Sequence, residues 1–184
     1  MAKVLKKDDI ELKHFVSSDA GMLFQLIDKN RAHIGEWLWW VSGTTSVTQI
    51  EEKIKAWAEK ENKGENAAFG IWYKDALAGV ISFDSIVKEY KNAEIGYWLD
   101  EGHQGKGIVT ESCKLLIDYG FKELGLHRIE IRCTVGNEKS CAIPERLGFT
   151  KEGLARESGL LNGKFVDHIW YSLLVDEWQD EEAR

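Results

Sequence analysis

Three glycines stand within six residues in Gly102-His103-Gln104-Gly105-Lys106-Gly107, and Ile108-Val109-Thr110 then opens an apolar-periodic stretch that reads as a helix. Glycine lets backbone approach a ligand closely, and N–H groups at a helix start lack intrahelical partners and meet negative charge along the helix dipole. The chemistry indicated is the holding of an anion such as a phosphate. Spacing then discriminates among phosphate loops. A Walker loop, G-x-x-x-x-G-K-[ST], could use Gly102 and Gly107, but Ile108 and Val109 follow where Lys and Ser/Thr are required. A dinucleotide fingerprint, G-x-G-x-x-G, could begin at Gly105 and Gly107, but Thr110 occupies its third glycine position. Neither pattern fits.

The elements that must position this turn follow from periodicity. Ile10 to Phe15 alternates as a half-buried strand, and Ser17, Ser18 and Asp19 can cap a helix over Ala20 to Ile27. A second helix is expected from Ser46 to Lys63, with Val47, Ile50, Ile54, Trp57 and Ala58 on one face. Three strand-like runs come next: A-A-F-G-I-W-Y, A-L-A-G-V-I-S-F and A-E-I-G-Y-W-L. Lys74-Asp75 is a hairpin-sized gap between the first two. The helix after the glycine turn reaches about Leu124, burying Cys113, Leu116, Ile117, Gly120 and Phe121. A strand at His127–Val135, a short helix from Asn137 to Leu147 and two closing strands complete the order. The expected class is α/β or α+β, a single domain over residues 8–178 with an acidic tail at 179–184.

With those elements around it, Q-G-K-G-I-V resembles the [RQ]-x-x-G-x-[GA] loop of the GCN5-related N-acetyltransferases (GNAT). Downstream, V-G-N-E-K-S-C-A-I-P-E-R-L-G-F resembles that family's second signature, an Asn followed by Gly-Phe. The segments Y-G-F-K-E-L-G-L-H-R-I-E and L-N-G-K-F-V-D-H-I-W-Y-S-L are similar to the branch that acetylates N-termini of ribosomal proteins. The resemblance runs from about Glu11 to Trp178. It implies a twisted, mostly antiparallel sheet of about seven strands, splayed at the cofactor site and flanked by about four helices.

The resemblance also implies acetyl-coenzyme A as cosubstrate. Its pyrophosphate would meet the backbone of Gln104, Gly105, Lys106, Gly107, Ile108, Val109 and Thr110, with Lys106 as a nearby cation. Val109 stands where the pattern has Gly or Ala, so its side chain is expected to turn away. The pantetheine arm would pair with backbone of Tyr97, Trp98 and Leu99 in the splay and bond to Asn137, which could equally cap the helix it begins. Gly96 is a candidate bulge residue, since interior strand glycines often mark one. Where many members carry a tyrosine acid this chain has Pro144, its only proline, and Ser140 one turn earlier is the substitute acid. Pro144 lacks the N–H that would bond the carbonyl of Ser140. Candidate bases are Glu94 and Glu157. Trp37, Trp39 and Trp40 fall where the family builds its acceptor site.

The acceptor stays open between the N-terminal α-amine of a protein and a polyamine or other small cationic amine, with a non-catalytic acetyl-coenzyme A sensor as the remaining reading. Acidity bears on this choice. At pH 7 roughly a tenth or more of an α-amine is neutral, against about one lysine in a few thousand, so an enzyme without an obvious strong base suits the α-amine. Cys113, Cys133 and Cys141 form no C-x-x-C pair, so neither a disulfide framework nor a metal site is expected. The net charge of −7 argues against general nucleic-acid binding. The absence of a long apolar run argues against a membrane span and makes the cytoplasm the default. The aromatic surface points to a homodimer or higher homo-oligomer.

Overall fold

The computed structural model describes residues 3–178; the expected acidic tail lies outside them. A short hairpin opens the chain, β1 (Val4–Lys7) and β2 (Ile10–His14), turning at Asp8 with φ 51°. Helices α1 (Ala20–Lys29), α2 (Arg31–Gly35) and α3 (Val47–Asn62) follow. Next come β3 (Ala67–Tyr73), β4 (Ala76–Val87) and β5 (Asn92–Leu99), then α4 (Ile108–Lys122), β6 (Arg128–Thr134) and α5 (Glu138–Arg146). The last hairpin is β7 (Thr150–Leu161) and β8 (Lys164–Leu174). Lys74 and Asp75, with φ 49° and 64°, make the left-handed two-residue turn between β3 and β4 that their spacing predicts. Asn162 and Gly163 do the same between β7 and β8.

The strands form one sheet in the order β1-β2-β3-β4-β5-β6-β8-β7. Every neighbouring pair is antiparallel except β5 and β6. Among the described residues there are eight strands and five α-helices, where about seven and four are expected from sequence. The additions are β1 and α2. Each is too short for periodicity to reveal, with 4 and 5 residues. The strand at β7 runs on to Leu161, up to the turn at Asn162-Gly163.

Two cores lie on opposite faces of the sheet. On one, Leu116, Ile117 and Phe121 of α4 meet Phe69, Ile81, Phe83, Ile95, Ile129 and Ile131. Gly120 brings α4 close, since a Cβ there would come within 2.7 Å of the Phe83 ring. On the other face, Leu23 and Ile27 of α1 and Ile50 and Ile54 of α3 cover Leu77 and Val80. α3 starts cleanly: Ser46 accepts from the Gln49 amide while Gln49 reaches back to the Ser46 amide, satisfying two helix-start donors.

Candidate active site

The glycine turn enters α4 through Gly107, whose φ of 74° and that of Gly105, 76°, are left-handed conformations that glycine adopts without penalty. No side chain caps the helix. The amides of Gly105 through Thr110 find no hydrogen-bond acceptor among the described residues. Six N–H groups without an acceptor, leading into a 15-residue helix, suit a pyrophosphate. Val109 is partly buried, packing against the α4-side core while also lining the cleft. Lys106 does not supply the local cation: its ammonium donates to the Gly102 carbonyl at 3.1 Å, and it is not among the residues lining the cleft. Arg146 and Lys139 of α5 stand there instead. Arg146 donates to the Thr110 hydroxyl at 3.0 Å, and Lys139 to the side-chain carbonyl of Gln104 at 2.9 Å. The Gln104 amide in turn meets His33 at 2.7 Å.

The turn is anchored from below. Asp100, 1% exposed, accepts from Lys29 and Asn30, each at 2.8 Å, and meets His103 at 2.7 Å. The Asn30 side chain also accepts from the Glu101 amide. Burial alone would raise the Asp100 pKa; the hydrogen bonds from Lys29, Asn30 and His103 and the charge of Lys29 outweigh it and hold the group at about 2.

β5 and β6 pair only from Asn92↔Arg128 to Glu94↔Glu130 and then separate. From Ile95 to Leu99, β5 is paired to β4 but not to β6, leaving one strand edge open inside the sheet. A pantetheine amide chain fits such an edge, which presents alternating N–H and C=O groups. The bulge is not at Gly96. Phe83 pairs with Ile95 and Ser85 with Glu94, so the extra residue is Asp84 on β4. Gly96 is required for a different reason: a Cβ there would collide with the Asp84 carboxylate.

α5 begins at Asn137, whose side chain accepts from the Ser140 amide at 3.2 Å, the capping role. Both Asn137 and Ser140 line the cleft. Pro144 lies inside α5 and leaves the Ser140 carbonyl without its helical donor; the Tyr97 hydroxyl, reaching over from β5, donates to it at 3.0 Å. The Ser140 hydroxyl lies 3.4 Å from that of Tyr97 and 3.7 Å from the Cys133 sulfur. Burial holds the Tyr97 phenol well above its ordinary pKa, so it remains a donor.

The tryptophans divide. Trp40 turns inward against the α1–α3 core, with the Lys53 ammonium 3.9 Å from its ring centre. Trp37 and Trp39 line the main cleft, Trp39 with 69% of its surface exposed. Glu94 also lines the cleft but is held by Arg132 at 2.6 Å. Burial raises its pKa, and Arg132 opposes that rise. Glu157 is exposed, with φ 50°, and does not line the cleft. Cys113 and Cys133 are buried, and burial pushes their thiols up, Cys133 to about 12, which suits packing rather than nucleophilic attack. No group of side chains suited to a metal occurs among the described residues.

One cleft of about 2020 Å³ joins these parts, from the glycine turn through the splay to Trp37, Trp39 and the β7–β8 hairpin. A second cavity of about 280 Å³ opens behind Trp98 between α1, α3 and β4. Asp84, Gly96, Tyr97 and Trp98 border both. Sequence reading missed Asp84, although its trace is present. In V-I-S-F-D-S-I-V the inward positions Ile81 and Phe83 are followed by Ile86, a slip of one residue that requires a bulge. Arg146 and His33 carry no local signal, since they reach the turn only through the packing of α5 and α2.

Residues 9–150 match the family described as acetyltransferase (GNAT) domain. YdaF of Bacillus subtilis is 39% identical over 176 residues, covering 95% of this chain and 96% of that protein. The ribosomal-protein-serine acetyltransferase of Escherichia coli is 33% identical over 177 residues, covering 96% and 99%. Among solved structures, the ribosomal L7/L12 α-N-protein acetyltransferase RimL in complex with coenzyme A superposes with a TM-score of 0.92 at 31% identity, covering 95% of this chain and 99% of that one. The microcin C7 self-immunity acetyltransferase MccE, in complex with acetyl-CoA and AMP, gives 0.87 at 34%, covering 91% and 93%.

Proposed function

The chain belongs to the GNAT acetyltransferase family and is an acetyl-coenzyme A-dependent N-acetyltransferase; on that premise we propose that its acceptor is the α-amine at the N-terminus of a ribosomal protein. The observation that carries this reading is the continuity of the cleft. Beyond the splay it runs on past Trp37 and Trp39 to Ser158–Gly163 of the last hairpin, room for several residues of an extended peptide behind the reacting amine. The E. coli ribosomal-protein-serine acetyltransferase and the L7/L12 enzyme point to the same acceptor class.

Bound acetyl-coenzyme A supplies an activated thioester, and the chain's own groups do the rest. Amides from Gly105 to Thr110 hold the pyrophosphate, with Arg146 and Lys139 adding charge; the Gln104 amide, expected from the sequence to join them, is taken by the Glu101 carbonyl at 3.2 Å. The open edge of β5 at Tyr97, Trp98 and Leu99 aligns the arm, and a free N–H on that edge stabilises the oxyanion. Ser140 protonates the departing sulfur, backed by Tyr97, while Asn137 fixes the turn that carries Ser140. Trp37 and Trp39 wall the acceptor, whereas Trp40 braces the wall from inside. Glu94, engaged by Arg132, acts as a positioning residue. Glu157 lies outside the cleft, and no catalytic part is proposed for it.

The test is acetyl transfer to peptides with the N-terminal sequences of ribosomal proteins, to the same peptides with blocked N-termini and an internal lysine, and to spermidine. The free N-terminal peptides should give the highest kcat/KM. Preferred turnover of spermidine would overturn this acceptor in favour of a small cationic amine.

A further inference from the structure

Asp84 is a carboxylate in the cleft with no role assigned above. It sits on the β4 bulge opposite the point where β5 parts from β6. The Ser82 hydroxyl donates to its Oδ1, while Oδ2 has no hydrogen-bond donor among the described residues. That second oxygen lies over the backbone of Gly96, whose missing side chain leaves the space it occupies. Asp84 is open to the cleft yet ringed by protein, on the wall shared by the main cleft and the smaller cavity. Glu94, the neighbouring carboxylate, is engaged by Arg132.

From this geometry we infer that Asp84 binds the ammonium group of the acceptor and takes its proton, delivering a neutral amine to the thioester at the splay of β5 and β6. The inference rests on the reading of the cleft as an acetyl-transfer site for a primary amine. The proton balance is complete. One N–H proton passes to Asp84 and leaves to solvent. The nitrogen lone pair forms the C–N bond as the C–S bond breaks, with its electron pair going to sulfur. A second proton leaves the nitrogen for solvent as the amide forms; the sulfur takes the hydroxyl proton of Ser140, solvent returns one to Ser140, and the third N–H proton stays on the amide.

The surroundings tune the group for this work. Burial raises the Asp84 pKa; the Ser82 hydrogen bond and the charges of Lys53, Arg132 and Lys60 work against that rise. The groups facing it are therefore Lys53 and Lys60 of α3, Arg132 of β6, and Glu94 of β5, whose own pKa the Asp84 charge raises. Lys53 is held near the Trp40 and Trp57 rings, 3.9 and 5.2 Å from their centres, and makes no ion pair with Asp84 that would block Oδ2. A carboxylate with a raised pKa is a better proton acceptor near neutrality than one in open water.

Asp84→Asn keeps the shape and the Ser82 hydrogen bond, so it is the decisive variant. Calorimetry should find coenzyme A affinity unchanged and the affinity for a free N-terminal serine peptide reduced about tenfold or more, with no change for the N-acetylated peptide. Turnover should fall by about a hundredfold, the lower range for a lost general base, and the acid limb of kcat/KM should disappear. Gly96→Ala, which displaces the carboxylate without removing it, should reproduce the loss of activity. An Asp84→Asn enzyme that keeps peptide affinity and kcat within about twofold overturns the inference while leaving the acetyl-transfer reading intact. A wild-type protein that acetylates neither peptide nor polyamine overturns that reading and this inference with it.

Discussion

The Tyr97 hydroxyl, on β5, donates at 3.0 Å to the Ser140 carbonyl, on α5, the group that Pro144 deprives of its helical partner. A side chain of the sheet thus completes a helix that its own sequence interrupts, and the contact joins the open strand edge to the residue proposed as acid. An unsatisfied buried carbonyl costs about 1–3 kcal/mol. Tyr97→Phe should therefore destabilise the protein by about that amount. In a Pro144→Ala background, which restores an N–H to α5, the cost of Tyr97→Phe should shrink. Urea unfolding of both single variants and the double variant measures the difference, and equal costs in the two backgrounds would dissociate the contact from the proline.

Ser140→Ala should lower kcat by about ten- to a hundredfold, about 1.4–2.8 kcal/mol of transition-state stabilisation, with acetyl-coenzyme A affinity retained. The helix-start hydrogen bond runs from the Ser140 amide to the Asn137 side chain, so this variant keeps its cap and its melting temperature. Asn137→Ala is the opposite case and should cost about 1 kcal/mol of stability. Steady-state kinetics and thermal melts on the two variants separate protonation from capping; full activity in Ser140→Ala would assign the proton to water.

Gly107→Asp should weaken coenzyme A binding at least about tenfold, or ~1.4 kcal/mol, by placing a negative side chain among the turn's free amides. The left-handed φ of 74° adds a conformational penalty of about 1 kcal/mol to the same variant. Isothermal calorimetry reads the affinity, and unchanged binding in a folded variant would move the pyrophosphate elsewhere.

The Asp100 network gives a pH dependence of stability. Its folded pKa, about 2, lies below the unfolded value, so its contribution is complete above about pH 4 and is lost as pH falls through 2. The amount is about 2 kcal/mol. Asp100→Asn should flatten the stability profile between about pH 4 and pH 2 relative to wild type. It should also loosen the glycine turn, seen as faster amide exchange over residues 101–107.

Trp39→Ala should leave stability within about 0.5 kcal/mol while raising the acceptor KM, because the ring is 69% exposed in the cleft. Trp40→Ala removes a ring that packs against the α1–α3 core under Lys53, and should cost about 2 kcal/mol or more. Parallel melts and peptide kinetics distinguish wall from brace.

Local sequence determined the parts whose physics is local. The glycine spacing dictated an uncapped helix start with free amides, and the periods of two and of 3.6 located every long strand and helix. Asn137 at a helix start dictated its capping bond, and Pro144 dictated an orphaned carbonyl. Even the β4 bulge is written in the slip from Phe83 to Ile86. Only the tertiary structure decided what meets these groups. That Arg146 and Lys139 reach the turn, and that Arg132 claims Glu94 and leaves Asp84 open, depend on residues brought together across 35 or more positions of chain. Side-chain partnership at such separations is set by how helices pack on a twisted sheet, and packing is a property of the whole core rather than of any window of sequence.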